Sequence, residues 1–349
     1  MKGSQIGIIG GGIAAVVIIA ALFVSMGTQN NATPLPAEND VVIQSEDKLI
    51  VYTTFYPLYQ FTQGVAGDAA DVRILIPANG DPHASELGPK TIAALTKADM
   101  VIFNGADFEP YIDEIMSASD FAHIVFVDSS EGIKLMEGES HDHSSHGSHG
   151  DDKHDDHSKE DGHDDHGEEG GIDHTYDPHI WLDPILAKAQ VMTIADHLQE
   201  SDPVHAEIYH DNAISYANQL DQLDQEIRSD VSSCAKDTFV PFHNAFSYFA
   251  ERYDLNTLAV IQEFSPETPV TAKDIEKLIH FAEDNDIKYF FTEENRNPKL
   301  AERLAAELGG DILLFSPLES LSERDDPSTT YFEKMRQNVD NLQIALECN

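Results

Sequence analysis

The sequence predicts an α/β fold: two parallel-sheet lobes bridged by one long rigid helix, with a crevice between the lobes. Three observations carry it. Short apolar runs of strand type alternate with helical stretches, first before and then after the middle of the chain. Between the two series, the chain from Asp202-Pro203 to about Val231 has no further Gly or Pro, which predicts a helix of roughly 28 residues, about 42 Å long. The length of 349 residues suits about two domains, and 41% apolar residues suffice to fill their cores.

Ile6 to Met26 carries no charge and follows Lys2. A helix of that length can cross a hydrocarbon layer of roughly 30 Å, so residues 1–27 read as a signal peptide or an N-terminal membrane anchor. Gly10-Gly11-Gly12-Ile13-Ala14-Ala15 matches a dinucleotide fingerprint. That fingerprint needs a preceding strand and an amphipathic helix after it, whereas this run is apolar all round, so the nucleotide reading fails. No Cys follows the run to carry a bacterial lipid anchor. Residues 28–47, rich in Asn, Pro, Thr and acids, read as a flexible tether.

The first lobe is expected over 48–202. Its strands are predicted at 49–53, 72–76, 100–103 and 124–127, and its helices near 57–66, 89–97, 108–117 and 185–200. Residues 137–173 interrupt it with 14 acids against Lys153 and Lys159, about −12 of a formal charge of −42. His141, His143, His146, His149, His154, His157, His163 and His166 are spread through this tract among Gly, Ser and Asp. With almost nothing apolar to bury, it is expected to be a disordered loop, and its His content suggests auxiliary loose metal binding. The linking helix occupies 203–233, with Asp202 as its N-cap and Pro203 at the first position. Its sparse apolar positions are Ile208, Ala213, Tyr216, Leu220, Leu223 and Ile227. The second lobe, 234–349, repeats the alternation with strands at 238–240, 257–261, 289–291 and 312–315, and helices near 245–253, 271–284, 298–308 and 329–346.

A charge of −42 excludes non-specific binding to nucleic acid, which needs a basic face. Cys234 and Cys348 are the two cysteines, so a thiolate zinc finger is excluded. They form one disulfide in an exported protein or stand as free thiols; the sequence leaves both open.

The chemistry-bearing residues are histidines in stiff turns. Asp177-Pro178-His179-Ile180-Trp181-Leu182-Asp183-Pro184 sets His179 between two Asp-Pro steps, each of which restricts the backbone. His83 lies in Asp81-Pro82-His83, and His243 in Pro241-Phe242-His243-Asn244. All three follow predicted strands, where open α/β sheets gather ligands. Neutral imidazole suits zinc, copper, nickel and iron rather than calcium or magnesium. A tetrahedral zinc site needs a fourth donor. Glu319, after the strand at 312–315, is the first candidate; Glu293, Glu294 and a water compete. His123, His197, His205, His210 and His280 fall at element edges and read as ordinary surface or capping residues, and Trp181, Phe246, Tyr248 and Phe249 as walls and core.

These motifs, with Glu86-Leu87, His243-Asn244-Ala245-Phe246-Ser247-Tyr248-Phe249 and Pro317-Leu318-Glu319-Ser320-Leu321, make the sequence similar to the zinc/manganese family of solute-binding proteins of ABC importers. The resemblance runs from about residue 48 to the end. It implies a metal site in the inter-lobe cleft, with His83, His179, His243 and Glu319 as ligands. It also implies Zn2+ as transported ligand rather than catalytic cofactor, an ABC-transporter permease as partner, an extracytoplasmic, monomeric protein and no enzymatic activity. An acidic His-rich insert is typical of the family's zinc branch. Manganese members generally carry a carboxylate at the third position, here His243. The N-terminus departs from relatives that carry a lipid-anchored Cys or a cleaved signal, and is instead expected to reach the membrane through 6–26 if uncleaved. The alternatives are the same fold serving manganese, iron or copper, a metal buffer or adhesin without a permease, and a secreted zinc hydrolase. The last is disfavoured by the absence of HExxH and GxSxG motifs.

Overall fold

The computed structural model describes residues 48–349 apart from 78–79, 81, 84–86, 139–174, 267, 323 and 349. The expected signal or anchor, the tether and the eight insert histidines lie outside the described residues. Among the described residues no helix is long and apolar enough to cross a membrane.

Alternation of short apolar runs with helices produces parallel strand–helix–strand units in each half. The first half comprises β1 (Leu49–Thr53), α1 (Tyr56–Ala66), β2 (Ala70–Ile74), α2 (Pro89–Leu95), β3 (Met100–Phe103), α3 (Ile112–Ser117) and β4 (Val125–Asp128). Its four strands are parallel, in the order β2-β1-β3-β4. Two helices follow, α4 (Pro184–Ser201) and α5 (Ala206–Val231). The second half is β5 (Thr238–Phe239), α6 (Ser247–Arg252), β6 (Asn256–Thr257), α7 (Ala272–Asp284), β7 (Tyr289–Thr292), α8 (Lys299–Leu308), β8 (Asp311–Leu314) and α9 (Tyr331–Ala345). Here β5 pairs with β6 and β7 with β8, and a parallel bridge between Val240 and Phe290 joins the pairs. Each half therefore winds second, first, third, fourth. The candidate ligands lie in the segments that follow β2, β4, β5 and β8.

Three sequence expectations shift. The strand expected at 257–261 is a two-residue strand, with Ile261 returning as an isolated bridge to His243. Pro241 has no N–H to donate, which interrupts the partner side of that ladder. The helix α3 begins at Ile112 rather than 108, after a turn in which Gly105, Ala106 and Asp107 take left-handed φ values of 83°, 53° and 59°. The long helix starts at Ala206, with His205 rather than Asp202 at its N-cap. Asp202 instead ends α4, and its carboxylate accepts from the Tyr209 hydroxyl at 2.8 Å and sits 2.7 Å from His205 Nδ1.

The main core is continuous through both sheets. It links Val51, Phe55 and Phe61 of the first half to Trp181, then to Phe239, Phe291, Phe315 and Leu318 of the second. Helix α5 feeds it with Tyr209, Ala213, Tyr216, Leu220, Leu223 and Ile227, while Ile208 is 47% exposed, so Tyr209 takes the place expected of Ile208. Its packing on α1 is close enough that a Cβ on Gly64 would run into the Tyr216 ring. Residues Asp47–Asn349 form one compact unit. Cys234 and Cys348 are joined by a disulfide, which ties the end of α5 to the chain's last residues.

Candidate metal centre

His83 lies in the loop after β2, His243 follows β5, and Glu319 follows β8. His179 caps a short 3₁₀ turn, Ile180–Leu182, that leads into α4. The helix start is set by Asp183, whose carboxylate accepts from the Ile185 and Leu186 N–H groups, with Pro184 at the first position. These four side chains come together. Each is buried, and their donor atoms all lie within 4.8 Å of one another. None of His123, His197, His205, His210 or His280 joins them.

Glu319 Oε1 is the focus: it lies 3.0 Å from His83 Nε2, 3.4 Å from His243 Nε2 and 3.7 Å from His179 Nε2. The Nε2 atoms of His179 and His243 are 3.3 Å apart. Four donors held at roughly 2.0–2.1 Å from one zinc in a tetrahedron must lie about 3.3 Å from each other. The separations of 3.0, 3.3, 3.4 and 3.7 Å lie around that value, and all the donor atoms are within 4.8 Å of one another.

Two imidazoles are oriented from behind by carboxylates. Asp177 Oδ1 sits 2.8 Å from His179 Nδ1 and accepts from its backbone N–H at 3.0 Å. Glu293 Oε1 is 2.6 Å from His243 Nδ1 and accepts from its N–H at 3.3 Å. A carboxylate on Nδ1 fixes the tautomer that turns Nε2 toward an ion. Glu293 therefore stands behind His243 rather than at the focus. Glu294 points away as well, paired with the buried Lys334, which Asp325 also holds at 3.0 Å. Replacing Glu293 by Ala is expected to weaken zinc binding roughly 10–100-fold, with Glu293→Gln less affected because an amide oxygen still accepts from Nδ1–H. Competition titration against a chromogenic chelator measures it, with the melting temperature reporting any general loss of fold.

Electrostatics follow the same geometry. Burial pushes the His83 imidazole toward its neutral form, against Glu319. Burial also opposes charge on His243, but Glu293 and Glu319 outweigh it and raise its pKa to about 10. For Glu319 burial is likewise outweighed by the three imidazoles, which hold its carboxyl well below the ordinary range. The centre is thus an anionic focus inside a ring of imidazoles.

The walls come from both halves. The Trp181 indole N–H donates to the Pro317 carbonyl at 2.7 Å, and the Tyr331 hydroxyl donates to the Trp181 carbonyl at 2.7 Å. These bonds tie the His179 turn to the Glu319 loop. Next to Glu319, buried Leu318 adopts a left-handed φ of 59°, a strained state for a branched residue. It is held by Ser316 Oγ, which accepts from its N–H at 3.1 Å, and by Asn338 of α9, which brackets the Ser316 backbone.

The left-handed turn at 105–107 delivers Phe108, whose ring meets His83 edge-on at 4.8 Å. Buried Glu109 pins that turn, accepting from the Thr54 hydroxyl at 2.6 Å and the Asn104 N–H at 2.7 Å. Burial outweighs these bonds and raises its carboxyl from 4.5 to about 7. Because the folded protein then holds the proton more tightly than the unfolded chain, this contribution is fully present below pH 4.5 and is lost as pH rises through about 7. Glu109→Gln is expected to flatten that decline and to gain roughly 2–3 kcal/mol relative to the native chain at pH 8. Urea midpoints at pH 5 and pH 8 test it.

Sequence reasoning missed the roles of Asp177, Glu293 and Leu318. Asp177 was visible only as a flank of Pro178, and nothing in the local sequence marks Glu293 as the partner of a residue 50 positions away.

Fold and site together define an α/β binding protein with a buried group that can hold one metal ion. The chain belongs to the zinc-uptake complex component A family, described as periplasmic, whose model matches residues 51–345. The high-affinity zinc uptake system protein ZnuA of Bacillus subtilis is 34% identical over 330 residues, covering 94% of this chain and 96% of its own length. The zinc-binding protein AdcA of Streptococcus pyogenes is 33% identical over 306 residues, 87% of this chain, which spans only 57% of that relative. Among solved structures, the Zn(II)-bound ZnuA-like domain of Streptococcus pneumoniae AdcA aligns with a TM-score of 0.68 and 28% identity, covering 86% of this chain and 99% of that domain.

Proposed function

We propose that this chain is an extracytoplasmic, high-affinity zinc-binding protein that delivers Zn2+ to the permease of an ABC importer. Zinc is its cargo. The observation that supports this best is the convergence of three buried imidazoles, His83, His179 and His243, with the buried Glu319 carboxylate, one donor atom from each within 4.8 Å of the others. Three imidazoles and one carboxylate suit zinc better than manganese, which favours more oxygen. Four protein donors leave no open position for a reactive water, so the set serves binding rather than hydrolysis. Lobes at 48–202 and 234–349, joined by the segment 203–233 that contains α5 (Ala206–Val231), contribute two donors each, and occupancy changes how the loops between them sit. The permease reads that difference. Competitive titration with Zn2+, Mn2+, Fe2+ and Cu2+ tests the reading: one tight zinc equivalent with weaker manganese supports it, and the absence of a tight zinc equivalent refutes it.

In this reading the insert is a loose collector tethered beside the tight site, where it raises local zinc concentration. Its flanks close on each other: the Gly138 N–H donates to the Thr175 carbonyl at 2.9 Å, and Glu137 bridges Tyr176. Deleting 139–170 is therefore expected to leave the tight equivalent unchanged while removing the weak ones. Isothermal titration of both forms distinguishes this from a shared site, in which the tight equivalent would go too.

A further inference from the structure

The two oxygens of Glu319 face different surroundings. All three imidazole contacts go to Oε1. Oε2 points the other way, to the guanidinium of Arg296, whose Nη2 lies 4.0 Å from it, an ion-pair separation. Arg296 is mostly buried, in a small pocket that it lines with Glu293, Glu294, Glu319, Asn295 and Gly80.

The loop that carries Arg296 is fastened to the loop that carries Glu319. Asn295, in a left-handed conformation, donates from Nδ2 to the Ser320 hydroxyl at 3.2 Å and to the Leu321 carbonyl at 3.4 Å. On the same loop, Glu294 is locked to Lys334 and Glu293 to His243. Among the described residues, these two neighbouring carboxylates are thus held by other partners.

A carboxylate binds a metal through one oxygen or through both. One-oxygen binding gives four donors here and a tetrahedral shell. Two-oxygen binding gives five, a shell that suits manganese and other cations that take more oxygen. A positive charge at Oε2 lowers that oxygen's availability to a second cation. The geometry points to Arg296 as a specificity-determining residue, one that holds Glu319 to single-oxygen ligation and so biases the centre toward four-coordinate zinc over manganese. The inference rests on the zinc reading above, and its test separates the two.

The full chain and its R296Q and R296K variants are loaded with Co2+ and titrated in competition with Zn2+ and Mn2+. Visible cobalt absorption is intense in tetrahedral shells and weak in five- and six-coordinate ones. In R296Q, the preference for zinc over manganese is expected to fall at least tenfold and the cobalt band to lose intensity, while R296K keeps both near native. An unchanged preference and band in R296Q overturn the inference. Should R296Q fail to fold, X-ray absorption on the zinc-loaded native chain decides: one carboxylate oxygen at bonding distance supports the inference, and two overturn it. Loss of the tight zinc equivalent in the native chain itself would instead strike the zinc reading.

Discussion

His243→Ala is expected to lower zinc affinity by about two to three orders of magnitude. Binding energies at four-donor zinc sites run roughly 10–16 kcal/mol, so one donor of four carries about 2.5–4 kcal/mol. The loss goes beyond the donor. Glu293, 5% exposed, would keep its burial and lose the imidazole that its Oε1 contacts at 2.6 Å. An uncompensated buried carboxylate is costly, so the melting temperature in chelator should fall as well. Competition titration reads the first effect and calorimetry the second. A tight zinc equivalent that survives in H243A would refute the ligand set. Comparison with E293Q separates loss of the donor from loss of its orienting partner.

Reducing the Cys234–Cys348 disulfide is expected to lower stability by about 4–5 kcal/mol at most, the chain-entropy value for a closed loop of about a hundred residues. The cysteines are 114 positions apart. For a chain of this size the melting temperature should drop by roughly 10 °C. The surrounding charges are a poor substitute: Lys236, Asp286, Lys288 and Glu347 pair near the same end, but Asp286 is 77% exposed, and such pairs contribute little. The cross-link lies at the end of α5, away from the strand-end loops, so zinc affinity at 25 °C should hold. Calorimetry with and without reductant, and on C234S/C348S, checks both halves of the expectation. An unmoved melting temperature would show that the cross-link constrains nothing in solution.

Much of the fold was legible because its signals are local. Apolar runs such as Leu49–Thr53 and Met100–Phe103 are strands within a residue of where their composition places them, since a parallel strand that is largely buried needs only a short continuous run. The boundaries that moved did so for reasons of partnership. Asp202 has the chemistry of a helix N-cap, yet its carboxylate is taken by His205 and Tyr209, and α5 begins three residues later than expected. Ile208 has the right hydropathy for the core, but the face that packs on α1 and α4 contains Tyr209 instead.

For the site, the sequence alone supplied the donor types and their stiff frames: His179 between two Asp-Pro steps, His83 after Asp-Pro, His243 after Pro-Phe, and Glu319 in a strand-end loop. Residue chemistry and backbone restriction are local properties, so one chain read in order reveals them. What only the tertiary structure decided is which carboxylate does what. Glu293, Glu294 and Glu319 are chemically alike and all follow strands of the second half. Their roles diverge because one lies against His243 Nδ1, one against Lys334, and one at the centre of three imidazoles with Arg296 at its back. Coulombic interaction and desolvation depend on distances of a few ångströms between residues far apart in sequence, and those distances exist only once the chain is folded.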